Sequence, residues 1–290
     1  MNPLSVTLQS PAKLNLYLHV GECREDGYHE ITTVFLPLFD LCDFVTITHQ
    51  EGTPFSVTAG EEVTLQEEDN ICYTAASLFS QESGSSLDGL RVSIEKHIPV
   101  AAGLGGGSSN AATVLLGLNQ MYGHPLTRGR LFEIAKVLGA DVPFFLDPAP
   151  VIARGIGNQF EPIPCNAELG LIVINPGFPV SSGWAYHNLH SVRHLQPPEI
   201  AGVTKAMEEG DIDALARHTF NDLEYPVCYK FPILEVLIEF LYEAGCCGAH
   251  VSGSGPTVFG MCRKDDAQYI REEVDREFHD MVYLCMTAYT

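Results

Sequence analysis

Residues 99–110 read Pro-Val-Ala-Ala-Gly-Leu-Gly-Gly-Gly-Ser-Ser-Asn. Gly103, Gly105, Gly106 and Gly107 crowd into five positions, and Ser108 and Ser109 follow them. Glycine admits positive φ and lets the backbone come close to a ligand. Where such a loop opens a helix, unpaired N–H groups and the positive end of the helix dipole face one point. The chemistry this favours is the holding of an anion. The plainer alternative is a flexible glycine connection with no ligand. The stretch is not a Walker A loop, because no Gly-Lys-[Ser/Thr] follows it. It is not a dinucleotide fingerprint either, because Ser108 stands where the last Gly or Ala belongs. A phosphate cradle of another kind is the favoured reading.

Two further places could do chemistry. In Ala12-Lys-Leu-Asn-Leu-Tyr-Leu-His-Val20 apolar and polar residues alternate. Lys13, Asn15, Tyr17 and His19 share one strand face, with neighbours about 7 Å apart. Lys13 and Asn15 can then reach one small ligand, or they are the wet face of an ordinary sheet. Asp141 precedes Val142-Pro143, where an extended backbone is expected. By itself it reads as a turn aspartate bonded to its own backbone.

These residues need elements to hold them. Gly89 to Glu95 alternates and reads as the strand that feeds the loop. Ala111, Val114, Leu115, Leu118 and Met121 recur at helical spacing after it, with Ser108 or Ser109 as N-cap. Two strands are expected over 31–48 and a short one at Phe55–Thr58. Helices are expected over Ile71–Phe79, capped by Asn70, and from Thr127 to Leu138, stopped by Gly139. Val151 to Ile163 reads as a hairpin about Gly157-Asn158, and Leu169 to Asn175 as a buried strand. Helices at 231–244 and 265–278 and a strand at 281–288 complete the chain. The acidic stretch Glu61, Glu62, Glu67, Glu68, Asp69 reads as a solvated face, and 190–210 carries little signal.

Composition sets the limits. The chain has 290 residues, 46% hydrophobic and 18% charged, which suits a globular protein of one large or two modest domains. Its net charge of −21 argues against nucleic acid and anionic membranes as partners. No apolar run approaches the roughly 18 residues of a membrane span, and no secretory signal is visible at Met1-Asn2-Pro3-Leu4. Nine scattered cysteines without metal spacing read as reduced thiols of a cytoplasmic protein, and no protein-built metal site is expected. A phosphate-bearing ligand would be repelled by this surface. A phosphate site must work through backbone dipoles, a divalent cation and a few placed cations. The 91–136 segment fits, with Arg91, Lys96, Arg128, Arg130 and Lys136 against Glu95 and Glu133.

Pro99-x-x-x-Gly-Leu-Gly-Gly-Gly-Ser-Ser-Asn-Ala-Ala resembles the nucleotide-phosphate loop of the GHMP kinases, the superfamily of galactokinase, homoserine kinase and mevalonate kinase. Pro11-x-Lys13-x-Asn15-Leu16, Gly27-Tyr28-His29, Gly139-Ala-Asp-Val-Pro-Phe-Phe145 and Asn221-Asp-Leu-Glu224, the last a structural one, resemble motifs of one branch, and Gly248 to Gly260, by itself a hairpin turn at Gly253–Gly255, resembles the third superfamily motif, a glycine turn beside the phosphates, all in the expected order. That branch acts on a cytidine diphosphate alcohol. The resemblance implies an α+β fold of two domains, 1–162 and 163–290. The first holds a mixed sheet with helices and the second a ferredoxin-like α/β sandwich, with a cleft between them. It implies ATP and Mg²⁺ as cofactors. Pro99, Val100, Ala101, Ala102, Gly103, Leu104, Gly105, Gly106, Gly107, Ser108 and Ser109 would hold the nucleotide. Asp141 would be the base, with Lys13 beside it to keep it ionised and to steady the developing charge. Asn15, Tyr28, His29, Asp141, Ser181 and Tyr186 would line the alcohol site, with Tyr186 stacking on cytosine. Trp184, the single tryptophan, competes with Tyr186 for that role. The chain would be a monomer or homodimer. The alternatives are a GHMP kinase for another small alcohol, of homoserine or mevalonate type, and a catalytically dead ligand-sensing relative. The Lys13 and Asp141 pair argues against the latter.

Overall fold

The structure is a computed structural model that describes residues 5–60, 70–189 and 196–290. The acidic stretch Glu61–Asp69, residues 190–195 and the first four residues lie outside the described residues. In chain order the elements begin with β1 (Ser5–Cys23), β2 (His29–His49), β3 (Ser56–Ala59), α1 (Ile71–Ser83), β4 (Leu90–Glu95), α2 (Gly106–Met121) and α3 (Arg128–Leu138). Next come β5 (Val151–Arg154), β6 (Gln159–Pro162), β7 (Leu169–Asn175), α4 (Ser182–His187), α5 (Ile200–Glu209), α6 (Ile212–His218) and β8 (Phe220–Asn221). The last are α7 (Glu224–Lys230), α8 (Ile233–Glu243), β9 (Gly248–Val251), β10 (Val258–Arg263), α9 (Ala267–Phe278) and β11 (Leu284–Tyr289). No helix among the described residues is long and apolar enough to cross a membrane.

Contacts divide the chain into two units. The first is Met1–Ala12, Leu41–Ile98 and Gly105–Pro148; the second is Lys13–Asp40, Pro99–Leu104 and Ala149–Thr290. The expected boundary near 162 therefore falls inside the second unit. Residues 151–153 of β5 pair antiparallel with Thr33–Phe35 of β2, which fastens the 151–162 hairpin to the early strands.

In the first unit Phe44–His49 of β2 pairs antiparallel with β4, and β4 pairs parallel with β3. α1, α2 and α3 pack on one another. α2 meets the sheet at Gly117, where a Cβ would lie 2.7 Å from the Ile47 side chain. Asn70 caps α1 through the Cys72 amide, and Thr127 caps α3 through the Arg130 amide, as their side chains favour. Two strands were expected over 31–48, and one long strand is present. Phe39 and Asp40 are exposed where β2 leaves its β5 partner and before it joins β4. The change of partner interrupts the burial pattern without ending the strand.

In the second unit β7, β9, β10 and β11 form an antiparallel sheet in the order β11-β7-β10-β9. α8 and α9 pack on this sheet. With helices between the first and second strands and between the third and fourth, this is the split β-α-β order of a ferredoxin-like sandwich. Its core gathers Ile172, Ile174, Leu237, Leu241, Val258, Ile270 and Val274. All nine cysteines are free thiols.

Candidate active site

Strand β1 carries the first group of functional side chains. The apolar face Ala12, Leu14, Leu16, Leu18 is fully buried, as alternation dictates. On the opposite face Lys13, Asn15 and Tyr17 are buried too, and His19 at its end is partly exposed. Lys13 is 5% exposed and Asn15 4%, so the wet-face alternative fails. A buried ammonium needs partners. Lys13 Nζ donates to Asn15 Oδ1 at 2.5 Å and lies 4.9 Å from the centre of the Phe35 ring. Asn15 Nδ2 donates to Thr33 Oγ1 at 2.8 Å, and Thr33 Oγ1 donates to the Tyr17 carbonyl at 2.5 Å. The chain of bonds fixes both side chains against β2.

The glycine loop is built on an alternation. φ is positive at Ala101, Gly103 and Gly105, at 51°, 77° and 72°, and not at the residues between. Such alternation turns successive N–H groups toward one concavity. The carbonyls show how it is anchored. Ala101 O accepts from Val180 N at 3.2 Å, Ala102 O from Thr257 N at 3.3 Å and Leu104 O from Lys13 N at 3.0 Å. Gly103 O accepts from Ser252 Oγ at 3.1 Å. In a trans peptide the N–H points opposite to the C=O of the same plane. Four carbonyls tied to the scaffold thus turn the amides of residues 102–105 away from it. Among the described residues none of these four amides donates a backbone hydrogen bond. A Cβ on Gly107 would meet nothing within 4 Å, so space lies before the helix start.

The helix itself begins earlier than expected. Gly105, in the left-handed region, is its N-cap, without a side-chain bond. Ser108 and Ser109 therefore lie inside the first turn and do not cap it. Ser109 is fully buried; its amide donates to Gly105 O and its hydroxyl accepts from Ser10 Oγ at 2.8 Å. Ser108 is half-buried and Val100 is 61% exposed.

Asp141 belongs to the first unit. Its backbone is helical, with φ −82° and ψ −18°, and it caps a 3₁₀ turn over Val142–Leu146. The extended conformation expected before Val142-Pro143 is absent. Val142, Pro143, Phe144 and Phe145 are all buried, and a 3₁₀ turn lets the four enter the core while proline occupies a first-turn position that needs no N–H. The turn packs on α2 and α3. Asp141 thus stands half-buried at the head of an anchored segment.

The second unit also brings His29 and Tyr186 together, with ring centres 5.8 Å apart and planes at 25°. His29 Nδ1 donates to the Gly21 carbonyl at 3.1 Å, which fixes the ring. Trp184 is committed elsewhere: Lys230 Nζ stands 3.8 Å over its ring, and Phe231 meets it edge-on. Ser181 is exposed, and its hydroxyl accepts from Trp184 N as the N-cap of α4. Tyr28 is 59% exposed.

The 252–257 turn joins β9 to β10, and all its residues are buried. It is a hairpin connection, and it packs against the Lys13 strand and the glycine loop. Ser252 Oγ also accepts from Asn15 N at 3.3 Å. A Cβ on Gly103 would stand 2.1 Å from Ser252 O, and one on Gly253 2.8 Å from Asn15 Oδ1. Asn221 Nδ2 donates to the Val251 and Gly253 carbonyls, both at 2.8 Å. Asp222 Oδ2 accepts from Val20 N, and Glu224 Oε2 from Val251 N, both at 2.7 Å.

Sequence reasoning placed Asn221 and Ser252 only within family motifs, and assigned no role to Thr33 or to Asp43, a carboxylate with no exposed surface. Asp43 did carry a signal. An acid between Leu41-Cys42 and Phe44-Val45 must be paired once the strand is buried.

Comparison with known proteins agrees with these motifs. Residues 70–147 match the GHMP kinases N terminal domain and residues 203–280 the GHMP kinases C terminal family. The 4-diphosphocytidyl-2-C-methyl-D-erythritol kinase of Geobacter metallireducens is 40% identical over 90% of this chain and 91% of its own. That of Geobacter sulfurreducens is 38% identical over 93% and 95%. A crystal structure of a 4-(cytidine 5'-diphospho)-2C-methyl-D-erythritol kinase superposes with a TM-score of 0.82 at 32% identity, covering 98% of both chains. A homoserine kinase from Cytophaga hutchinsonii shares the fold, with a TM-score of 0.80 at 18% identity.

Proposed function

The chain belongs to the GHMP kinases, and we propose that it performs the reaction for which its curated relatives are named. It phosphorylates the 2-hydroxyl of 4-(cytidine 5'-diphospho)-2-C-methyl-D-erythritol with ATP, in the non-mevalonate route to isoprenoid precursors. The observation that carries this is the 40% identity to a kinase of that name across 90% of the chain.

The residues supply the roles. Phosphoryl transfer needs positioning and charge stabilisation more than covalent chemistry. The outward amides of residues 102–105 in the 99–109 loop bind the β- and γ-phosphates. Asp141 accepts the proton of the 2-hydroxyl as its oxygen bonds to the γ-phosphorus. The bond from that phosphorus to the bridging oxygen breaks, and ADP leaves with the electron pair. Lys13, held by Asn15, offsets the charge that develops on the transferring group. His29 and Tyr186 offer the aromatic surface for the cytosine, because the Trp184 face is taken by Lys230.

Mg²⁺ suits this site as a companion of the nucleotide. Among the described residues no three His, Cys, Asp or Glu side chains gather into a cation site. Magnesium is commonly held by one or two carboxylates together with substrate phosphates. Bound so, it neutralises phosphate charge. The free thiols support a reducing compartment, the cytoplasm.

The test is ADP release by the purified chain with the cytidine alcohol, with homoserine and mevalonate as controls. Activity confined to the cytidine alcohol is expected. Asp141→Asn should lower kcat by about 10²–10⁴-fold, the usual worth of a general base, with ATP binding retained. Preference for another alcohol, or an active Asp141→Asn protein, would overturn the assignment.

A further inference from the structure

Asp43 sits on β2 in the first unit and has no exposed surface. Its carboxylate accepts four hydrogen bonds. Oδ1 takes the amides of His97 at 2.7 Å and Ile98 at 2.8 Å. Oδ2 takes the Lys96 ammonium, and Asn110 Nδ2 at 2.8 Å. Lys96 Nζ also donates to Asn110 Oδ1 at 3.0 Å, which closes a triangle. Asn110 Nδ2 reaches Ser10 Oγ at 2.9 Å as well, and Ser10 Oγ donates to Ser109 Oγ.

The partners matter for where they lie in the chain. Lys96, His97 and Ile98 are the last residues before the glycine loop. Ser109 and Asn110 follow its glycines, just after Ser108. One buried carboxylate therefore ties the two ends of the loop together. Gly106 is the point of closest approach. A Cβ there would lie 2.9 Å from Ile98 Cγ2 and 3.4 Å from Lys96 Nζ.

We propose that Asp43 is a positioning residue for the nucleotide, a clamp that with Lys96 and Asn110 fixes the separation of the two ends of the 99–109 loop. The proposal rests on that loop binding ATP phosphates. A loop that must present several amides to one phosphate group needs its ends held, because an ångström of misplacement weakens them all. Glycines provide the conformations but no rigidity. The charge of Lys96 is cancelled within the clamp, so the ammonium acts as a strut. Removal of the carboxylate leaves a mostly buried cation uncompensated beside the loop. None of the side chains in the clamp, Asp43, Lys96, Asn110, Ser10 and Ser109, is one assigned to the alcohol. Its loss should thus disturb ATP and spare the alcohol.

The experiment is steady-state kinetics of Asp43→Asn, Asn110→Ala and the double variant, with folding checked by circular dichroism. For each single variant the KM for ATP should rise at least tenfold, while the KM for the cytidine alcohol stays within twofold. The double variant should be no worse than the worse single one, because both cut one clamp. Unchanged KM for ATP, equal changes in both KM values, or additive losses would overturn the proposal. If Asp43→Asn does not fold, Asn110→Ala carries the test with the same thresholds. A wild-type chain inactive on the cytidine alcohol would instead overturn the substrate assignment. Binding of a fluorescent ATP analogue to the same variants then tests the clamp alone, with the same tenfold weakening expected.

Discussion

The chain contains two glycine turns of similar composition and opposite use. Residues 101–105 fasten four consecutive carbonyls to β1, the 252–257 turn and Val180, and turn their amides outward. Residues 252–257 are buried throughout, and several of their amides and carbonyls bond within the protein. Ser252 N donates to Thr257 O, Gly255 N to Ser252 O, and Thr257 N to Ala102 O. Asn221 holds the Val251 and Gly253 carbonyls. The first turn thus leaves the amides of residues 102–105 without a backbone acceptor among the described residues, and the second wedges against its carbonyls. Glycine serves both. In the first it gives the positive φ that alternation needs, and in the second it gives room where backbone meets backbone.

Substitution at Gly103 should have the largest effect, because it touches both turns. In Gly103→Ala the new methyl would stand 2.1 Å from Ser252 O at a φ of 77°. The left-handed conformation alone costs about 1–2 kcal/mol, and the clash adds to it. Calorimetry should show a large fall in Tm together with lost ATP binding. Normal stability would break the comparison. Asn221→Ala comes next, since it strips two buried carbonyls of their donor, at roughly 1–3 kcal/mol. It should lower Tm and weaken both substrates together, because the 252–257 turn supports Asn15 as well as Gly103. A selective effect on ATP would move that turn from scaffold to ligand site.

Gly107→Ala sharpens the contrast from the other side. The position is helical and open, so stability should hold or rise by up to about 1 kcal/mol. The methyl enters the space assigned to phosphate, and the KM for ATP should rise without a change in that for the alcohol. The smallest effect is alkaline. Burial pushes the Cys72 thiol of the first unit up to about 12, and burial with nearby carboxylates does the same to Cys228 and Cys285 of the second. Unfolded thiols ionise from about pH 8.5. Above that the unfolded chain binds fewer protons than the folded one, so stability is full below it and falls as pH rises toward 12. Tm measured from pH 7 to 10.5 should decline above about pH 9 in both units. A flat profile would contradict the burial of these thiols.

Much of this was legible in the residues. The caps at Asn70 and Thr127 and the loop between strand and helix follow from short-range pattern, and the ferredoxin-like order of the second unit from the family likeness. The start of α2 was misplaced, because glycine can cap by conformation and leaves no side chain to announce it. The one long strand over 29–49 was read as two, because exposure at Phe39-Asp40 imitates a turn.

Sequence by itself determined the candidate chemistry: a glycine loop suited to an anion, an ammonium and amide on one strand face, an aspartate before Val-Pro-Phe-Phe, and a family likeness spread along the chain. Tertiary structure alone decided that the Lys13 face is buried, that Tyr186 and not Trp184 meets His29, and that Asp43 binds residues 53 to 67 positions away. The physical reason is the range of the forces. Propensity, capping and turn conformation act over a few residues and are written in order along the chain. Burial and the pairing of a desolvated charge depend on what the fold brings from elsewhere, and no local spacing records it.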